Sequence, residues 1–169
     1  VSSLPEGRAV GRSDRRQQRR PAGHGGEDRD GIQWSGAAHH PEGGEARLLF
    51  LSPRTGYTNI YRKPLDGVGE DEVMVAGERS AEFESLHPFS SRLDSREGIV
   101  LFSTKHGDRD ALVMWDVDSN RVVGRYQFDS LVGIMSPAWS PGGDRIAFSA
   151  LTLGGISDLY LLELRSGEL

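Results

Sequence analysis

Five histidines, at positions 24, 39, 40, 87 and 106, are the residues here best suited to hold a metal. Their spacing argues against it. His39 and His40 are adjacent, so they point to opposite sides of an extended chain, and no two of the five stand four apart, as a helical zinc pair would. The run DVDSNR, Asp116 to Arg121, opens like a calcium loop. Arg121 stands where such a loop needs glycine and Gln127 where it needs a bidentate glutamate, so the run reads as a hairpin turn. Serine hydrolysis needs a nucleophile on a strained G-x-S-x-G elbow, and the nearest approach, QWSGA at Gln33 to Ala37, lacks the first glycine. No catalytic, cofactor-binding or metal-ligating residue is therefore assigned, and no cofactor is expected.

The arginine cluster RSDRRQQRRP, with Arg12, Arg15, Arg16, Arg19 and Arg20, carries fixed charges suited to phosphate. No aromatic residue is interleaved for base stacking and acidic residues follow at once, so a solvated segment is expected rather than nucleic-acid binding. What remains is a surface for other macromolecules. Arg54, Tyr57, His106, Asp108, Arg109 and Trp115 combine charge with aromatic area near predicted loops, the composition of an interaction surface.

The elements that hold these residues differ sharply along the chain. Residues 1–37 carry seven Arg against five Asp and Glu, with few large apolar side chains, and are expected to be poorly ordered; residues 38–169 carry thirteen Lys and Arg against twenty Asp and Glu. There is no cysteine, hence no disulfide framework, and no apolar run approaches the roughly 18 to 20 residues needed to span a bilayer as a helix. No membrane insertion is expected.

From Ala46 onward the sequence repeats. ARLLFLSPRTGYTNIYRKPLDG, GIVLFSTKHGDRDALVMWDVDSN and DRIAFSALTLGGISDLYLLELRSG align on Phe50, Phe102 and Phe148, which are 52 and 46 residues apart. Each holds a strand ending near Phe-x-Ser, a loop, then Asn59, Asp110 or Asp158 opening a second strand, then a turn. An apolar-Ser-Pro-x-Gly piece precedes each Phe strand: SPAWSPGG at Ser136 is the cleanest, LHPFSS at Leu86 looser, HHPEGG at His39 loosest. Spacing near 40 to 50 residues with four short strands per unit is that of a propeller blade. Alternation predicts that Ile146, Phe148, Leu159 and Leu161 face a neighbouring blade.

The repeat resembles that of the TolB-like β-propeller family, W-S-P-D-G-x-x-I-A-F-x-S followed by D-I/L-Y-x-x-D-x-x-x-G. Trp139, Ser140, Pro141, Gly143, Ile146, Ala147, Phe148, Ser149, Asp158, Leu159, Tyr160 and Gly167 fall on the pattern. Gly142 and Glu163 depart from it, and the middle copy carries four extra residues, RLDS, before its Phe strand. The expectation is an all-β, partial β-propeller: two four-stranded antiparallel blades plus the first strands of a third, over residues 38–80, 83–129 and 134–169. Propellers close with roughly four to eight blades, so this is expected to be a section of a longer chain. The resemblance implies a non-catalytic platform for protein or ligand binding, in a periplasmic or extracellular setting, whose partners are other proteins or further blades. It is also similar to the N-terminal propeller of dipeptidyl-peptidase-type serine peptidases, which implies, as the alternative, an accessory propeller whose hydrolase domain lies outside this sequence. The third strand of the last unit, SDLYLLEL, is expected to leave an unpaired apolar edge through which the chain self-associates.

Overall fold

The computed structural model describes residues 36–39, 46–66, 68–77, 81–87 and 92–169. Residues 1–35 of the segment expected to be poorly ordered, its arginine cluster, His24, His40 and most of the HHPEGG and LHPFSS pieces lie outside the described residues, whereas Gly36 and Ala37 of that segment lie in a strand. The described residues form twelve strands and no helix, grouped as three antiparallel sheets.

Sheet 1 holds β1 (Gly36–His39), β2 (Arg47–Ser52), β3 (Asn59–Pro64) and β4 (Glu72–Ala76), in that spatial order. Sheet 2 holds β5 (Ser85–Leu86), β6 (Asp94–Arg96), β7 (Ile99–His106), β8 (Arg109–Asp116) and β9 (Arg121–Tyr126); β5 and β6 both pair with β7, so they are two pieces of one interrupted innermost strand. Sheet 3 has three strands, β10 (Leu131–Trp139), β11 (Arg145–Thr152) and β12 (Ser157–Glu163). Every strand pairs within its own unit, which makes the fold a β-propeller section of two complete blades and a third without its outer strand.

Local chemistry sets these boundaries. The DVDSN run is a hairpin turn: Asn120 has φ +54° and Ser119 N–H donates to Asp116 Oδ1 at 2.7 Å. In the innermost strands, interruptions sit at equivalent places. The pairing of β10 with β11 shifts between Met135 and Ala138, where Ser136 has φ +51°; in sheet 2 the same strand breaks between Leu86 and Asp94. The four extra residues of the middle copy fall at and just before β6, which they help to build.

Period-two burial then stacks the sheets. Leu49, Leu51 and Ile60 of sheet 1 meet Val100, Phe102, Val113 and Trp115 of sheet 2, with Phe83 from the β4–β5 connection wedged among them. On its other face sheet 2 sends Leu101 and Leu112 against Ile134, Ile146, Phe148, Ala150 and Leu162 of sheet 3. Phe128, from the β9–β10 connection, stacks on Phe148 at 5.9 Å and 18°, and Phe83 takes the equivalent place against Phe102 at 5.8 Å with its ring tilted by 53°.

Register corrects one expectation. Directly opposed residues share a face: β11 and β12 pair Ile146 with Leu162 and Phe148 with Tyr160, but Ala147 with Leu161 and Ser149 with Leu159. Leu159 and Leu161 therefore lie on the side away from Ile146 and Phe148 and are 73% and 48% exposed. Choosing the odd rather than the even leucines of SDLYLLEL reversed the face.

Candidate interaction surface

The connections from the second to the third strand position of each sheet, 53–58, 107–108 and 153–156, belong to one rim. β4 ends beside the start of β3, with Asn59 paired to Ala76, and the chain leaving β4 then runs against the β7–β8 turn: His106 Nδ1 lies 3.1 Å from Ala81 O, and Gly107 N–H donates to Glu84 Oε1 at 2.9 Å. The next connection does the same, because Arg109 Nη1 lies 3.2 Å from Asp129 Oδ1 and Gln127 Nε2 donates to His106 O at 2.9 Å. Inter-sheet chain and turn are thus laced together along this edge.

Arg54 and Tyr57 stand in the first of these loops. The Arg54 guanidinium lies 4.3 Å from the centre of the Tyr61 ring and 5.1 Å from that of Phe50, two rings stacked at 5.5 Å, and it ion-pairs with Asp71. Lys63 Nζ approaches the same carboxylate at 3.2 Å. Burial pushes the Asp71 carboxyl up, but the hydrogen bonds of Arg54 and Lys63 outweigh it and hold the group below its ordinary value. Tyr57 is 42% exposed. At the second turn Asp108 and Arg109 form an ion pair at 2.9 Å; hydrogen bonding to Arg109 lowers the Asp108 carboxyl and the same contact raises the guanidinium.

Trp115 is not part of this surface. It sits in β8, 8% exposed, its ring 5.8 Å from Phe83 at 64°. It pairs with Val100 on the face that meets sheet 1, so its aromatic area is spent on core packing rather than on a surface.

Three polar contacts between sheets 2 and 3 escaped the sequence reading. Asp110, 6% exposed, accepts Ile134 N–H at 2.9 Å through Oδ2, and its Oδ1 lies 3.1 Å from His87 Nε2. Asp94 Oδ2 accepts Trp139 N–H at 2.8 Å, and Arg96 Nη1 donates to Pro141 O at 3.0 Å. Asp94 and Ser95 belong to the extra RLDS residues, so what reads as a break in the repeat supplies a clasp onto the next sheet. Asp110 also differs from Asn59 and Asp158 despite its matching place in the alignment. Asn59 and Asp158 each precede by two the residue opposite the Phe anchor, whereas Asp110 precedes it by three and points to the other face. Asn59 Oδ1 instead accepts Gly77 N–H, at 3.0 Å, where the chain leaves sheet 1.

No family model matches the chain. It is 44% identical over 57 residues to the Tol-Pal system protein TolB of Alkalilimnicola ehrlichii, a stretch covering 34% of this chain and 13% of that protein. Among solved structures, TolB from Acinetobacter baumannii superposes with a TM-score of 0.59 at 19% identity over 79% of this chain and 30% of that one. A protein described as TolB from Agrobacterium tumefaciens gives 0.58 at 17% identity over 81% and 47%. The chain thus spans less than half the length of each of these, and the TolB-like β-propeller fold is the fold it has.

Proposed function

We propose that this chain is a non-catalytic propeller module that binds other proteins through the rim formed by its second-to-third strand loops. The observation that carries the reading is the bracing of that rim. Arg54 and Asp108 present charge from loops, and Arg109 from the start of β8, beside chain laced to the inter-sheet connections, so little conformational entropy is left to lose when a partner docks. Tyr57 adds amphipathic area of the kind that anchors interfaces. The name of the sequence relative, a Tol-Pal system protein, supports a partner of the Pal kind.

A photoreactive group placed at Tyr57 or Asp108, with Val123 on the outer strand of sheet 2 as the control position, tests the reading against purified Pal. Crosslinks at the two rim positions, reduced by Arg54→Glu with Arg109→Glu, support it. Equal labelling at Val123, or no protein crosslink at the rim, overturns it.

The same reading includes self-association of the chain. Sheet 3 supports this, because it offers exposed leucines where sheets 1 and 2 offer buried ones.

A further inference from the structure

We infer that a one-residue bulge in the outermost strand of each complete sheet keeps other chains from adding a strand at the outer edge of this propeller section.

β4 and β9 are the last strands of sheets 1 and 2, and among the described residues neither has a further strand on its outer side. Such a side presents a row of free N–H and C=O groups that recruits extended segments of other chains. Both strands are rich in valine, EVMVA in β4 and RVVGRY in β9, a composition that favours pairing. Val73 and Val123 are 46% and 47% exposed, so apolar side chains flank both edges. These edges belong to complete sheets and stay outermost whether or not further blades flank the section.

Each edge is broken by an extra residue. In sheet 1 Ile60 pairs with Val75 and Tyr61 with Val73, which leaves Met74 over. In sheet 2 Met114 pairs with Gly124 and Trp115 with Val122, which leaves Val123 over. A bulge bends its strand and raises the local twist, so a straight incoming strand loses register across it. Packing fixes both bulges. Met74 and Val75, consecutive in sequence, are 5% and 2% exposed, an arrangement that strict alternation forbids and the extra residue permits. In β9, Gly124 brings its main chain against Met114, whose Sδ lies 2.9 Å from where a Cβ would stand, while Val122 packs on the core between sheets 1 and 2. Charge adds to the barrier there. An antiparallel pairing of two copies centred on Val123 would set Arg121 of each against Arg125 of the other.

An extended-strand probe, an alternating Thr-Val hexapeptide, tests this against the isotopically labelled full chain by amide NMR. With the wild-type chain the resonances of residues 72–76 and 121–126 are expected to stay unmoved at millimolar peptide. Deletion of Val123 joins the pairs Met114–Gly124 and Trp115–Val122 into a regular ladder and should tighten binding at β9 by at least about tenfold, with β4 as the internal reference. Val123→Ala keeps the extra residue and should behave as wild type. Peptide-induced shifts in either outer strand of the wild-type chain overturn the inference, as does a folded deletion variant that binds no more tightly. Where the deletion variant loses its far-UV circular dichroism, the wild-type titration decides alone. Self-association through sheet 3 moves other amides and bears on neither result.

Discussion

Asp110 joins two sheets through a single carboxylate. Its Oδ2 accepts the Ile134 N–H of the next sheet at 2.9 Å, while Oδ1 faces His87 Nε2 of its own sheet at 3.1 Å. The group is almost fully buried, so both contacts form away from bulk water, where an unsatisfied partner is costly. Asp110→Ala would leave Ile134 N–H without an acceptor and is expected to cost about 1.5–3 kcal/mol in urea unfolding. Asp110→Asn should recover part of this, because an amide oxygen fills a comparable role at Asn59, and a loss as large as that of the alanine variant would count against the acceptor role.

His87 makes this junction pH-dependent. The hydrogen bond to Asp110 holds its pKa above the ordinary value of 6.5, against burial and the positive charge of Lys105, which push it down. A group whose pKa is higher folded than unfolded adds stability that is full below the unfolded value and is lost as pH rises through the folded one. Unfolding midpoints are thus expected to fall as pH is raised from about 6 to 8, and His87→Gln should flatten that part of the profile. A wild-type profile already flat there would contradict the pairing.

The stacked rings of sheet 3 should dominate its stability. Phe148, 1% exposed, lies between Phe128 at 5.9 Å and Tyr160 at 6.0 Å. Phe148→Ala is expected to cost about 3–5 kcal/mol, read by chemical denaturation, and hydrogen exchange should show the loss first in β10 to β12.

Two glycines that look alike in sequence should behave differently. A Cβ at Gly77 would come within 2.1 Å of Thr58 O, a main-chain atom that cannot move alone, whereas at Gly124 the nearest atom is Met114 Sδ at 2.9 Å, the end of a flexible side chain. Gly77→Ala should therefore destabilise by at least about 1–3 kcal/mol. Gly124→Ala should cost visibly less in the same thermal melts, and equal losses would show that the Thr58 contact relaxes.

Much of this architecture was legible in the order of residues. Phe50, Phe102 and Phe148, with the alternating apolar positions around them, mark second strands that pair within their own units, because antiparallel hairpins are local and their turns are written in Asp, Asn and Gly. The chain positions of Arg54, Tyr57 and Asp108 in connecting loops, and of Arg109 at the start of β8, were legible too, since they follow from strand order. Which face each side chain takes was decided only by register. One residue of offset separates Asp110 from the positions of Asn59 and Asp158 and turns it toward the next sheet, and it likewise leaves Leu159 and Leu161 open while burying Leu162. Stacking also placed Trp115 in the core and brought Asp94 and Arg96 onto the third sheet, contacts that span 45 residues of chain and that no local pattern encodes. Local propensity and hydrogen-bond closure act over a few residues, so sequence carries them; burial between sheets depends on what the next layer presents, and only the folded chain supplies that layer.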